Sequence, residues 1–292
     1  MLETNNSSLV KRQTLTDIEA TAIERLTATC NTFESLRMRL SLEMLRKRSG
    51  NETNDFLYYE DGMLVGYLNV DSYGVLEKEL TGMVHPDYRR RGIFRAMLVA
   101  AKEECDRRGV QKLILVCEHV SHSGQAFVQA IGANHDFSEH EMVLGTLHER
   151  PPADPRLRIR KADFEDKEAL AFVHAMSFGD NIEGSGSYVE KCLQRPWNTF
   201  YLGLLGEEPV GCLRLDDLGQ EIGVYGFAVR PEYQGRGYGR QMLEEAIRIM
   251  HAASQKGIML DVETDNTNAV GLYLSCGFQI RTTYGYYSLT IP

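Results

Sequence analysis

The sequence lacks the marks of most classes outside the ordinary globular one. No run approaches the roughly 18 apolar residues that cross a bilayer, so no membrane association is expected. The polar start, Met1 to Gln13, has no apolar core of a secretory signal, which makes a cytoplasmic location the expectation. The six cysteines stand apart with no CxxC pair, a pattern of reduced thiols rather than of a disulfide framework or zinc site, and no metal is expected. Basic residues are in the minority: 32 Lys and Arg against 41 Asp and Glu leave a net charge of −9. Both halves are acidic, which argues against a nucleic-acid partner. Tryptophan occurs once, at Trp197, just ahead of an expected strand. What remains is a globular balance of 43% apolar and 25% charged residues. Its length suits about two domains, each able to bury its own core.

Self-similarity organises the chain. Val65-Gly66-Tyr67-Leu68 recurs as Val210-Gly211-Cys212-Leu213, and Val84-His85-Pro86-Asp87-Tyr88 recurs as Val229-Arg230-Pro231-Glu232-Tyr233. Arg91-Gly92 returns as Arg236-Gly237, Leu115 with Glu118 as Leu260 with Glu263, and Gly132 as Gly277. Every pair stands 145 positions apart. One offset shared by five anchors marks a duplication. The proline-rich segment 151–155 reads as a stiff linker, so the expected domains are 1–150 and 156–292. In the second copy, strands are expected at 157–160, 200–205, 210–215, 224–229, 258–262 and 279–289. Helices are expected from Asp163, over the apolar face Leu243, Ala246, Ile247 and Met250, and over 268–275. The Gly-, Ser- and Asn-rich residues 178–187 read as a mobile loop. This order predicts an α/β (α+β) fold, with helices interrupting a mixed, mostly antiparallel sheet.

Two motifs carry chemistry. Gln234-Gly235-Arg236-Gly237-Tyr238-Gly239 lies between a strand and a helix. Its glycines let backbone approach a ligand, and the free N–H groups of the helix start form an anion site. Arg236 and Arg240 stand near enough to add charge, so a diphosphate is the natural guest. The spacing is not the dinucleotide-binding GxGxxG, and the Gly-Lys-Ser/Thr of a P-loop is missing. A glycine cluster alone equally suits a tight turn that binds nothing. The second motif runs from Leu260 through Asn266, Ala269 and Tyr273 to Cys276-Gly277-Phe278. It sets Asn266 at a strand end and Tyr273 one to two turns into the next helix. A phenol there can protonate a leaving thiolate, or it can simply pack the helix on the sheet.

Together these segments resemble the GNAT superfamily of N-acetyltransferases, whose signature is Arg/Gln-x-x-Gly-x-Gly/Ala followed by an Asn…Ala…Leu-Tyr…Gly-Phe segment. The resemblance covers most of 156–292 and implies two tandem GNAT-like domains, each a twisted, mostly antiparallel sheet flanked by helices. It implies acetyl-CoA as co-substrate, lying in an opening between two strands. Phe227, Ala228 and Val229 would pair with the pantetheine arm, and Gln234, Gly235, Arg236, Gly237, Tyr238, Gly239 and Arg240 would hold the pyrophosphate. Asn266, with Ala269, would meet the pantetheine, and Tyr273 would be the general acid. Direct attack by a small-molecule or peptide amine needs a base, for which Glu221 and Asp216, at strand ends, are the candidates. Tyr225, Tyr284, Tyr286 and Tyr287 are candidates for the acceptor pocket or for an aromatic sheet face.

The first copy is faded. At the 145-residue offset Gly239 becomes Phe94, Asn266 becomes Ser121 and Tyr273 becomes Val128. Catalysis is therefore expected in the second copy alone, with the first either structural or forming part of the acceptor pocket. The alternative is a non-catalytic acyl-CoA-binding sensor or scaffold.

Overall fold

The computed structural model describes residues 7–38, 40, 45–46, 48, 50–72, 76–148 and 150–291. In chain order the strands are β1 (Ser7–Arg12), β2 (Asp55–Glu60), β3 (Met63–Ser72), β4 (Glu77–Val84), β5 (Lys112–Glu118), β6 (Asn134–Leu144), β7 (Leu157–Lys161), β8 (Asn198–Leu205), β9 (Glu208–Asp217), β10 (Glu221–Val229), β11 (Gly257–Glu263) and β12 (Phe278–Thr290). The helices are α1 (Asp17–Glu34), α2 (Ile93–Arg107), α3 (His122–Ala130), α4 (Lys167–Phe178), α5 (Ile182–Leu193), α6 (Tyr238–Ala253) and α7 (Thr267–Cys276). No helix among the described residues is long and apolar enough to cross a membrane.

The chain forms two compact units, and their limits differ from the expected 1–150 and 156–292. One unit comprises residues 1–138 with 282–292, the other residues 139–281. Strand pairing is the reason. The last part of β12, from Tyr284 to Thr290, pairs antiparallel with β5 and so belongs to the first unit. Residues Glu139 to Val143 of β6 pair with β11 in the second. The chain thus leaves the first unit along β6 and returns to it along β12, so no cut in the linker separates two complete sheets. Segment 151–155 is held too. Asp154 exchanges backbone hydrogen bonds of 3.1 and 3.0 Å with the Gln241 side chain and accepts one of 3.2 Å from Tyr238.

In the first unit the sheet order is β1-β2-β3-β4-β5-β12, parallel only between β4 and β5. The second unit repeats the pattern as β7-β8-β9-β10-β11-β6, parallel only between β10 and β11. Both are mixed, mostly antiparallel sheets, as expected. In the second unit α6 lies on one face because Met242, Leu243, Ala246 and Ile247 recur at helical spacing and are fully buried against Val210, Leu213 and Leu260. Met242, Leu243 and Ile247 each contribute about 1.5–3 kcal/mol of burial. On the opposite face Leu170 and Val173 of α4 and Val189 and Cys192 of α5 cover Phe200, Leu202 and Cys212.

Two expectations are corrected here. Most of residues 178–187 is helix rather than loop. Asn181 caps α5 through a 2.6 Å bond from the Gly184 N–H, and burial of Val189 and Cys192 outweighs the helix-weakening Gly184 and Gly186. Tyr284, Tyr286 and Tyr287 belong to the first unit, where Tyr286 stacks on Phe137 at 4.3 Å and Tyr287 donates to Gln125.

Candidate active site

The site grows from one irregularity in β10. Its parallel pairing with β11 runs only from Glu221–Gly257 to Val224–Leu260. Beyond it a bulge sets Gly226 and Phe227 opposite Leu213 of β9 and shifts the register between Tyr225 and Ala228. Gly226 adopts φ +52°, in the region that favours glycine. The outcome is a strand whose later half has a free edge, with Phe227 beside the opening.

The Gln234–Gly239 loop closes one end of that opening. Gly235 and Gly237 have φ of +73° and +84°. No side chain caps α6 and no acidic residue lies in its first turn, so the first N–H groups remain for an anion. The cradle is tight, since a Cβ on Gly237 would sit 2.7 Å from Ala153 Cβ. Gln234 donates to the Val229 carbonyl at 2.8 Å, tying loop to strand. Arg236 is exposed, its guanidinium 5.6 Å from the Tyr233 ring centroid. Tyr238 is buried and offers the loop only its backbone. Arg240 departs from expectation. It donates to the Ser275 carbonyl at 3.1 Å and to the Ser275 hydroxyl, and pairs with Glu244. There it clamps the carboxyl end of α7, where a cation is favoured, and is not a free charge for a diphosphate.

Across the opening, Asn266 caps α7 by accepting from Ala269 N at 3.1 Å, which leaves its NH₂ group for a ligand. Tyr273 lies between Phe227 of β10 and Phe278 of β12, with ring centroids 6.3 and 6.0 Å away. Burial, helped by the neighbouring Cys276, raises its phenol pKa to about 12. Glycine loop, strand edge, Asn266 and Tyr273 therefore lie in one unit around one gap. A long ligand with an anionic end and an amide arm fits that donor set.

The two base candidates do not join them. Glu221 is at the amino end of β10, roughly 20 Å along the strand from Phe227 at about 3.3 Å per residue. Arg281 holds it there with bonds of 2.5 and 3.1 Å. Asp216 is gripped by Arg214 at 2.6 and 2.8 Å. Glu221→Gln should therefore lower kcat/KM far less than the ~10²- to 10⁴-fold that loss of a general base costs. Steady-state kinetics check this, and a loss of that size would restore Glu221.

The first unit keeps the loop and fills the gap. Gly92 has φ +81°, and Arg90 has φ +66° where the second copy has glycine. The Phe94 ring packs edge-on to Phe127 at 4.6 Å, and its Cε2 lies 3.0 Å from where a Cβ on Gly82 would be. Phe94 and Gly82 are the counterparts of Gly239 and Phe227, so the aromatic ring has moved from strand to helix. Glu34 closes the amino end of α3, accepting from Ser123 N at 3.1 Å and Ser123 Oγ at 2.9 Å and pairing with Arg89 at 3.1 Å. An internal carboxylate thus occupies the ligand-facing helix start.

Known proteins share this fold. The acetyltransferase (GNAT) family matches residues 20–133 and 160–278. A mycothiol acetyltransferase from Catenulispora acidiphila is 31% identical over 244 residues, covering 77% of each chain. One from Mycolicibacterium gilvum is 27% identical, covering 96% of this chain and 98% of its own. Among solved structures, a GCN5-related N-acetyltransferase from Sphaerobacter thermophilus shares the fold with TM-score 0.81 at 21% identity, over 97% and 96% of the two chains. A tandem GNAT protein from the clavulanic acid biosynthesis pathway does so with TM-score 0.71 at 16% identity, over 98% and 99%. The chain belongs to the GNAT acetyltransferase family, with the family fold twice over. It is an acetyltransferase, and such enzymes use acetyl-CoA as co-substrate.

On the other face of the bulge the structure gathers Tyr225 and Asp216, which the sequence singles out separately, with Tyr188 and Arg214, which it does not. No motif links residues from α5, β9 and β10. The one available signal was a lone charge, Arg214, between Leu213 and Leu215 in the strand's apolar stretch.

Proposed function

We propose that the second unit transfers an acetyl group from acetyl-CoA to the primary amine of a small, mycothiol-like acceptor, and that the first unit is structural. The observation that carries this is the contrast between the copies: one gap is lined by an open glycine loop, Asn266 and Tyr273, and the other is filled by Phe94 and Glu34. The names of the full-length relatives support the acceptor class.

In this reading the N–H groups at the start of α6, with Gly235, Gly237, Gly239 and Arg236, hold the pyrophosphate. The free edge of β10 at Phe227 to Val229 and the Asn266 amide orient the arm. Bound acetyl-CoA supplies a thioester whose carbon gains the C–N bond while the C–S electron pair leaves on sulfur. Tyr273 gives its proton to that sulfur. The amine must first lose a proton, and Asp261 replaces Glu221 as its acceptor. Asp261 follows Leu260, the last residue of β11 paired with β10. It lies on the face away from α6, because Leu260 and Val262 point into the α6 core.

The test is acetyl-CoA consumption over a panel of alkylamines, amino acids, aminoglycosides and mycothiol-like amines, with mass spectrometry of the product. An N-acetylated small molecule is expected, together with a calorimetric stoichiometry of one acetyl-CoA per chain. Two equivalent sites per chain would overturn the division of labour, and no turnover of any amine would overturn the acceptor class.

A further inference from the structure

On the face covered by α4 and α5, beside the β10 bulge, lies a charged group that acetyl transfer as described above does not use. Arg214 of β9 is buried, and so is Asp216 two residues on, which accepts from it in a two-pronged pair at 2.6 and 2.8 Å. The remaining nitrogen, Nη1, donates to the Tyr188 hydroxyl of α5 and to Cys192 Sγ at 3.1 Å. The guanidinium lies over two rings, 5.5 Å from the Tyr188 centroid and 5.3 Å from that of Tyr225. Such a pair is a poor stabiliser, because desolvation consumes most of its Coulomb energy and apolar residues of similar volume do as well. Its geometry points to a positioning role.

Donor accounting gives that role a direction. The Tyr188 oxygen already accepts from Arg214, so the hydroxyl has one proton left to donate. Among the described residues nothing accepts it. Burial raises the Tyr188 pKa against the opposing pull of Arg214, so the proton stays at neutral pH. The hydroxyl lies over the bulge, 3.8 Å from where a Cβ on Gly226 would sit. That is where β10 leaves β11 and the gap begins. A donor is of no use to an attacking amine, whose lone pair must stay free. It suits an oxygen that gains negative charge as the amine attacks.

We propose that the Tyr188 hydroxyl, aimed by the Arg214–Asp216 pair, donates a hydrogen bond to the thioester oxygen of acetyl-CoA at the β10 bulge. This rests on the reading of the second unit's gap as the acetyl-CoA site. Tyr188 then touches a reacting atom, whereas Arg214 and Asp216 act through it.

The decisive measurement is the carbonyl ¹³C resonance of carbonyl-labelled acetyl-CoA bound to the full chain. In the native protein it should lie downfield of the free thioester, and in Tyr188→Phe, which keeps the ring, it should return towards the free position. Turnover of a responsive amine should fall by about 10²-fold, the loss typical of one such donor, with the acceptor KM unchanged. Arg214→Lys keeps a cation without the two-pronged fork and should move the resonance part of the way. An identical resonance in native and Tyr188→Phe protein overturns the proposal. So does a raised acceptor KM with kcat retained, which would make Tyr188 an acceptor contact. If the native chain leaves labelled acetyl-CoA free in solution, the reading of the gap itself falls.

Discussion

Tyr273→Phe should lower kcat by about 10²- to 10⁴-fold, the range for loss of a positioned general acid, while the fold persists. The variant keeps the ring that packs between Phe227 and Phe278. No hydrogen bond from the hydroxyl is lost, since it makes none among the described residues. A phenol pushed up to about 12 looks ill-matched to a thiolate near 8.5, a gap of ~3.5 pKa units or about 5 kcal/mol. The same surroundings act on the leaving sulfur. A thiolate forming in the same water-poor gap is itself a stronger base than one in water, because loss of solvent disfavours its charge. The sign of the pH dependence follows. The acid form of Tyr273 is fully present below its raised pKa, so none of its contribution is lost between pH 6 and 9. Native activity should climb over that range as the acceptor amine loses its proton, with no falling limb from Tyr273 until pH approaches about 12. The Phe variant should lie parallel to it, far below. Equal rates for the two proteins across pH 6 to 9 would remove Tyr273 from the mechanism.

How much of this was legible beforehand depends on how local each feature is. The glycine loop, Asn266 and Tyr273 lie within two short segments whose strand–loop–helix context is set by nearby residues, and their placement around one gap follows from that order. The duplication was legible because a 145-residue offset survives drift at single positions. Features fixed by distant partners were not. That Arg240 faces Ser275, and Glu221 faces Arg281, depends on where α7 and β12 return in space. The unit limits depend on the β5–β12 and β6–β11 pairings, which no local pattern encodes. The α5 helix was hidden by composition, because glycine and serine argue for a loop until burial of Val189 and Cys192 is known. Phe94 was visible as a bulky residue in a glycine's place. Its fit against Gly82, the counterpart of Phe227, emerges only when both copies are seen folded.

Gly237→Trp should abolish acetyl-CoA binding at concentrations that saturate the native chain. Two costs combine. A side chain at φ +84° is strained by about 1–3 kcal/mol, which alone is roughly a 5- to 150-fold loss if the bound geometry must keep it. The Cβ would also stand 2.7 Å from Ala153 Cβ, and Ala153 has little freedom to step aside. Its neighbour Asp154 is tied to Gln241 through backbone bonds in both directions and to the Tyr238 hydroxyl. The first turn of α6 must therefore move, and with it the N–H groups that face the pyrophosphate. Gly237→Ala meets the same Cβ contact and should already weaken binding, which separates backbone re-aiming from simple blockage by an indole. Gly92 provides the internal control. It has nearly the same φ, +81°, and open space where its Cβ would be. Because Phe94 and Glu34 already fill the first unit's gap, Gly92→Trp should leave acetyl-CoA affinity unchanged. Calorimetry on the three variants reads all of this. Native affinity in Gly237→Trp would place the acetyl-CoA site elsewhere, and a loss caused by Gly92→Trp would make the first unit a working partner in binding.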